Sequence, residues 1–218
     1  RGPTLFRNVI GVLPGQGEGR ILIGSHYDTK SGIEGEFVGA NDSGSSTGLL
    51  LELARGAKEA GYGPGPVPDR WFVMFDGEEC MVKYSAQDGF HGSRRLARQL
   101  EEAGQVEDTR AVIVLDMVGD RDLRITLPRG CTPELVRLAF DSAAAEGIRN
   151  EFSLYRHDVW DDHVAFLALG IPAIDLIDFN FGSAPGRNDY WHTDADSMDK
   201  ISAESLGKVG RVTLRMLN

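Results

Sequence analysis

Trp71-Phe72-Val73-Met74-Phe75-Asp76-Gly77-Glu78-Glu79 decides the fold: five consecutive apolar side chains run into a glycine turn that carries three carboxylates. An apolar run of this length with no polar face reads as a strand covered on both sides, the pattern of a parallel sheet between helices. Such sheets place their ligands beyond the carboxyl ends of the strands, where Asp76, Glu78 and Glu79 stand. Two adjacent carboxylates behind a buried strand repel one another unless a cation or a shared proton relieves them. One of the pair Glu78-Glu79 can then bind a metal while its neighbour stays free as a base.

Working outward, residues 5–13 and 20–25 read as two strands joined by Gly15-Gln16-Gly17-Glu18-Gly19, a hairpin. Residues 43–60 carry Leu49, Leu50, Leu53, Ala54 and Ala57 at helical spacing, with Gly61 placed to cap the helix. Gly63-Pro64-Gly65-Pro66-Val67-Pro68 is a rigid surface loop. Downstream, residues 94–103 read as a helix, 111–115 and 123–127 as buried strands, and 132–146 as a helix with Thr132 at the N-cap and Pro133 at the first helical position. Residues 163–169 read as a short helix, 173–177 as a central strand and 203–217 as a closing helix. No internal repeat interrupts the alternation. It predicts a three-layer α/β/α sandwich with a mixed, mostly parallel central sheet, and 218 residues at 41% hydrophobic suit one domain, residues 1–218.

A net charge of −10 argues against nucleic acid or an anionic membrane as partner, because the surface repels phosphates before contact. No apolar run approaches the roughly 20 residues that span a bilayer, so the chain reads as soluble. It opens on Arg1 rather than Met, which reads as a processed or trimmed N-terminus. Cys80 and Cys131 could pair, but two cysteines make no disulfide framework.

Reading the residue after each apolar run gathers a set. Ile21-Leu22-Ile23 leads to His26 and Asp28, Val112-Ile113-Val114-Leu115 leads to Asp116, the turn Gly39-Ala40-Asn41-Asp42 enters a helix, and a late loop carries Trp191-His192-Thr193. Taken singly, each carboxylate has a plain reading as a helix or turn cap. Together, two histidines and three carboxylates suit zinc, which accepts imidazole nitrogen and carboxylate oxygen and keeps a position open in catalytic sites. Five such donors also suit two metals bridged by one carboxylate. His91 and His157 read as surface or loop residues, His163 as structural, and the aliphatic stripe of the helix from Ser43 as core.

These segments resemble the zinc aminopeptidase superfamily, whose order of His-x-Asp, Asp in a Gly-Ala-Asn-Asp turn, Glu-Glu, Asp and His is met by His26-Tyr27-Asp28, Asp42, Glu78-Glu79, Asp116 and His192. The resemblance implies that Asp42, Glu79 and His192 hold one zinc, with His26 and Asp116 holding a possible second one bridged by Asp42. Asp28 would orient His26. It also implies a cis peptide bond between Asp42 and Ser43.

Within that superfamily the chain is most similar to glutaminyl cyclases. A longer insertion, residues 80–91, separates Glu79 from Gly92-Ser93-Arg94, and its Tyr84-Ser85-Ala86-Gln87-Asp88 resembles their Trp-Ser-Pro-Gln-Asp. Asp161-Asp162-His163 stands where aminopeptidases more often have Ser-Asp-His, and Trp191 directly precedes His192. Departures are Tyr84 for the usual Trp, Trp160 for a usual Gln, and Ser25 where animal cyclases carry a disulfide cysteine. The family reading makes Glu78 the base that takes a proton from the substrate's α-amine and returns it to the departing nitrogen, with Asp116 and Asp161 sharing protons with it. Trp191, Trp160 and Tyr84 would line the pocket for an N-terminal glutamine. It further implies peptide and protein N-termini as substrates, one zinc, a monomer, and an extracytoplasmic location. The alternative is an aminopeptidase, in which the same Glu78 deprotonates water beside two metals. A binding module descended from such enzymes fits less well, since no ligand is lost, and a serine hydrolase reading of Asn41-Asp42-Ser43-Gly44 lacks the required chain order.

Overall fold

The structure is a computed structural model that describes residues 4–59 and 66–217. Its main sheet has the order β1-β3-β2-β4-β7, from strands Val9–Leu13, Asp69–Phe75, Arg20–His26, Thr109–Asp116 and Ala173–Ile177. The last four run parallel, and β1 joins the open edge of β3 antiparallel. A second, two-stranded parallel sheet pairs β5, Ile125–Leu127, with β6, Phe152–Leu154.

Successive residues of the central strands alternate between two apolar cores. Ile23, Phe72, Ile113, Leu115 and Ile174 pack under Leu49, Leu50 and Leu53 of α1 (Ser46–Glu59), Ala139 and Ala143 of α3 (Pro133–Ala145), and Val209 and Val212 of α5 (Ala203–Met216). Leu22, Val73, Val112, Val114 and Ala173 pack on the other face against Leu96 and Leu100 of α2 (His91–Glu102) and Phe166 of α4 (His163–Leu167). Period-two alternation along strands buried on both faces gives the three layers. No helix among the described residues is long and apolar enough to cross a membrane.

Four expectations change. The hairpin does not form: β1 pairs with β3, and β2 lies between β3 and β4. The strand expected at 123–127 is not in the central sheet but pairs with β6, which the sequence reading did not mark as a strand. The helix expected from Ser43 begins at Ser46, because residues 40–45 form an irregular turn whose Asp42-Ser43 peptide is cis, as the resemblance implies. The cap expected at Gly61 and the first half of the loop at 63–68 lie outside the described residues. Thr132 and Pro133 do open α3, yet the Thr132 hydroxyl accepts from Ala173 N at 2.9 Å and ties the helix to β7 instead of capping it. Cys80 and Cys131 are separate buried thiols.

Candidate active site

The carboxyl ends of β2, β3 and β4 deliver His26, the Asp76-Gly77-Glu78-Glu79 turn and Asp116 to one edge of the sheet. The turn before α1 adds Asp42, and the late loop adds His192. His26 Nε2 lies 3.1 Å from Asp42 Oδ1 and 3.3 Å from Asp116 Oδ1. His192 Nε2 lies 3.1 Å from Glu79 Oε1 and 3.3 Å from Asp42 Oδ2. Two groups result, His26–Asp42–Asp116 and Asp42–Glu79–His192, each with its donor atoms within 4.8 Å of one another and with Asp42 common to both.

Local structure holds these groups in place. Asp28 accepts from Glu78 N through Oδ1 and from Glu79 N through Oδ2, both at 3.1 Å, and Oδ1 is 3.6 Å from His26 Nδ1. One carboxylate thus orients the glutamate pair as well as the imidazole. Asp196, fully buried, accepts from Asn41 N at 2.7 Å and Asp42 N at 3.0 Å, so the loop carrying His192 is tied to the loop carrying Asp42. Asn41 Oδ1 accepts from Gly119 N at 2.8 Å beyond β4. Gly39 takes a left-handed conformation, φ 58°, where a Cβ would meet the Asp42 carbonyl oxygen at 2.4 Å, so the turn requires glycine.

The donor set fits a cation. One ring nitrogen faces two carboxylate oxygens at each histidine, and a single N–H cannot satisfy both; Asp42 Oδ2 and Asp116 Oδ1 are buried with no hydrogen-bond donor. Burial opposes charging of the imidazoles, yet the carboxylates around them push His192 up to about 9 and hold His26 well above its ordinary value. Burial raises the Asp42 carboxyl too, but His192 and His26 outweigh it and hold it well below the usual range. A buried centre whose carboxylates draw both imidazoles toward the charged form is short of positive charge, which a metal supplies.

Glu78 is 6% exposed and faces a cavity of about 380 Å³ lined also by Asp116, Asp161, Tyr84, Trp191 and Phe179. Burial raises the Glu78 carboxyl well above the usual carboxylate range, His26 opposes, and Asp161 and Glu79 add to the rise. Burial likewise pushes Asp161 up to about 7, with the Asp116 charge adding. The Tyr84 hydroxyl donates to Glu79 Oε2 at 3.0 Å and lies 3.3 Å from Glu78 Oε2; burial, then the two glutamate charges, keeps it a phenol.

All the residues expected at the site therefore meet in one place, with differences in emphasis. Trp191 stacks on His192 at a ring distance of 4.0 Å, while Trp160 lines the cavity but is 63% exposed at its rim. His157 is an exposed loop residue, as expected, and also lines the cavity, whereas His91 lies elsewhere, stacked on Phe6. Sequence reasoning missed Asp196, Phe179, which packs on Trp191 at 5.3 Å, and Lys30, whose Nζ is 3.4 Å from Glu79 Oε2 and 2.6 Å from the Cys80 carbonyl. For Asp196 a signal existed in its place four residues after His192 on the same loop; for Lys30 and Phe179 there was none.

The model of peptidase family M28 matches residues 8–217. The chain belongs to peptidase family M28. Among solved structures, the family member most informative here is a glutaminyl cyclase from an Acidobacteriales bacterium, 35% identical with a TM-score of 0.90, covering 97% of this chain and 72% of that one. A Porphyromonas gingivalis glutaminyl cyclase is 32% identical with a TM-score of 0.82, covering 97% and 76%. A curated relative, glutaminyl-peptide cyclotransferase of Gloydius blomhoffii, is 28% identical over all of this chain, which spans 67% of its length. Within the family, the glutaminyl cyclases are thus the branch this chain joins.

Proposed function

We propose that the protein is a zinc-dependent glutaminyl-peptide cyclotransferase, converting the N-terminal glutamine of peptides to pyroglutamate with release of ammonia. The observation that carries this reading is Glu78 together with Asp161 in an aromatic-walled cavity directly beside the Asp42–Glu79–His192 group. One imidazole nitrogen and two carboxylates suit zinc, which when held by Asp42, Glu79 and His192 supplies Lewis-acid polarisation of the substrate carboxamide oxygen.

The chain's own groups do the rest. Trp191 and Phe179 wall the cavity that takes the flat side-chain amide, and Tyr84 closes it beside Glu79. Glu78 takes a proton from the α-amine, whose lone pair forms the new bond to the carboxamide carbon. The same proton goes to the departing nitrogen as its bond to that carbon breaks, so ammonia leaves and Glu78 returns to its starting state. Because the attack is intramolecular, orientation supplies much of the acceleration. Asp161 and Asp116 line the same cavity as Glu78 and share in setting where its proton rests. The reading takes residues 1–218 as one catalytic domain, a monomer acting on peptide N-termini outside the cytoplasm.

A second reading, removal of N-terminal residues by hydrolysis, draws on the second group, His26–Asp42–Asp116, which would accept another metal. Product identity separates the two. Zinc-loaded protein is incubated with a Gln-initiated peptide and a Leu-initiated control, and the products are identified by mass spectrometry. Loss of ammonia alone from the Gln peptide supports cyclisation; free amino acid from either peptide establishes hydrolysis and overturns the proposal.

A further inference from the structure

Behind the cavity lies a second cluster of ionisable groups. Asp175 sits at the centre of β7, a strand otherwise made of Ala173, Ile174, Leu176 and Ile177, and it is fully buried. Its Cα stands opposite Val114 of β4. Asp161 and His163, at the start of α4, bring their side chains to it: the ligating atoms of the three lie within 4.8 Å of one another, and His163 Nδ1 is 3.9 Å from Asp175 Oδ2. The three are 0 to 3% exposed.

Among the described residues, no donor reaches either oxygen of Asp175 or Asp161 Oδ2, and His163 Nδ1 is also without a partner. Asp161 has only the backbone N–H of Asp162 on its other oxygen. Two carboxylates cannot both stay charged at this separation in a dry interior. The relief that needs no ion is one proton between them, a donated O–H facing the other carboxylate, as in paired acids elsewhere. Asp161 lines the cavity with Glu78, whereas Asp175 does not, so the proton belongs on the deeper residue and the charge on the one facing the reaction.

We infer that Asp175 is a positioning residue: as a neutral acid it donates a hydrogen bond to Asp161 and holds that carboxylate in place beside Glu78. Burial first, then the Asp161 charge, raises the Asp175 carboxyl well above its ordinary range, in accord with this. His163, whose imidazole burial pushes down to about 4, stays neutral and offers no competing charge. The inference rests on Glu78 being the base.

The test compares Asp175→Asn, whose amide still donates, with Asp175→Val, which fits the strand and donates nothing. With zinc loaded and Gln-initiated peptide, the Asn variant keeps kcat within about threefold of the parent, and the Val variant loses about tenfold in kcat at unchanged KM, roughly the worth of one hydrogen bond in the transition state. An infrared difference spectrum, parent minus Asp175→Asn at neutral pH, shows the carbonyl band of a protonated buried carboxyl. That band is read without turnover, so it tests the inference even if the parent fails to cyclise or the Val variant fails to fold. Absence of the band, equal loss of kcat in both variants, wild-type kcat in both, or loss of one zinc equivalent in Asp175→Asn overturns it.

Discussion

Asp196→Asn removes one of the two acceptors that bind the loop of His192 to the turn of Asp42. Both carboxylate oxygens are used, one by Asn41 N at 2.7 Å and one by Asp42 N at 3.0 Å, in a fully buried position. The amide keeps one oxygen and turns an NH₂ towards the other N–H, so one charge-assisted bond is lost, about 1.5–3 kcal/mol. For a chain of 218 residues that corresponds to a Tm lower by about 3–12 °C. Because the released N–H belongs to the ligand turn itself, zinc affinity should fall about 10- to 100-fold as well. Burial pushes Asp196 up to about 6, so the measurement is made well above that pH, where the parent carboxylate is charged. Calorimetry of the metal-free protein and competition with a chromophoric chelator give the two numbers. A lower Tm with unchanged zinc affinity would refute the reasoning, since it would show that Asp196 braces the fold without placing Asp42.

Other variants test the site from different sides. Glu78→Gln keeps shape and metal but cannot accept a proton, so kcat should drop by about 10²- to 10⁴-fold with zinc content unchanged; normal turnover excludes Glu78 as base. Tyr84→Phe removes the hydroxyl from Glu79 and Glu78 but keeps the ring, and a loss of up to about tenfold in kcat/KM is expected from steady-state kinetics. His163, pushed by burial to about 4 against 6.5 in the unfolded chain, makes the unfolded state bind more protons between those values. Its share of stability is therefore full above about 6.5 and lost as pH falls through 4, up to about 3 kcal/mol. Urea unfolding of His163→Asn across that range should show a flatter fall in stability than the parent; parallel curves contradict the assignment.

What the sequence determined by itself were the features that repeat locally. Strands β2, β3, β4 and β7 are short runs of buried apolar residues, so their positions follow from hydrophobicity alone, and His26, Glu78, Glu79 and Asp116 follow as the residues at their carboxyl ends. The order of these groups along the chain also carried the family resemblance.

Pairing was decided by tertiary structure. A glycine-rich link between two adjacent strands suggests a hairpin, but Gly15 N donates to Asp69 Oδ1 and Gly17 N to the Val67 carbonyl, so that link packs against the chain entering β3. A Cβ on Gly15 would meet the Val67 oxygen at 1.9 Å, which makes the close approach possible only for glycine. β2, buried from Leu22 to His26, needs neighbours on both sides, and the largely exposed β1 is left with the edge of β3. The same distance in sequence hid Asp196, Lys30 and Asp175. Their partners stand 155, 50 and, for Asp175, 14 residues away across an intervening helix, and a carboxylate or ammonium acquires its role only when folding removes water and sets the partner against it.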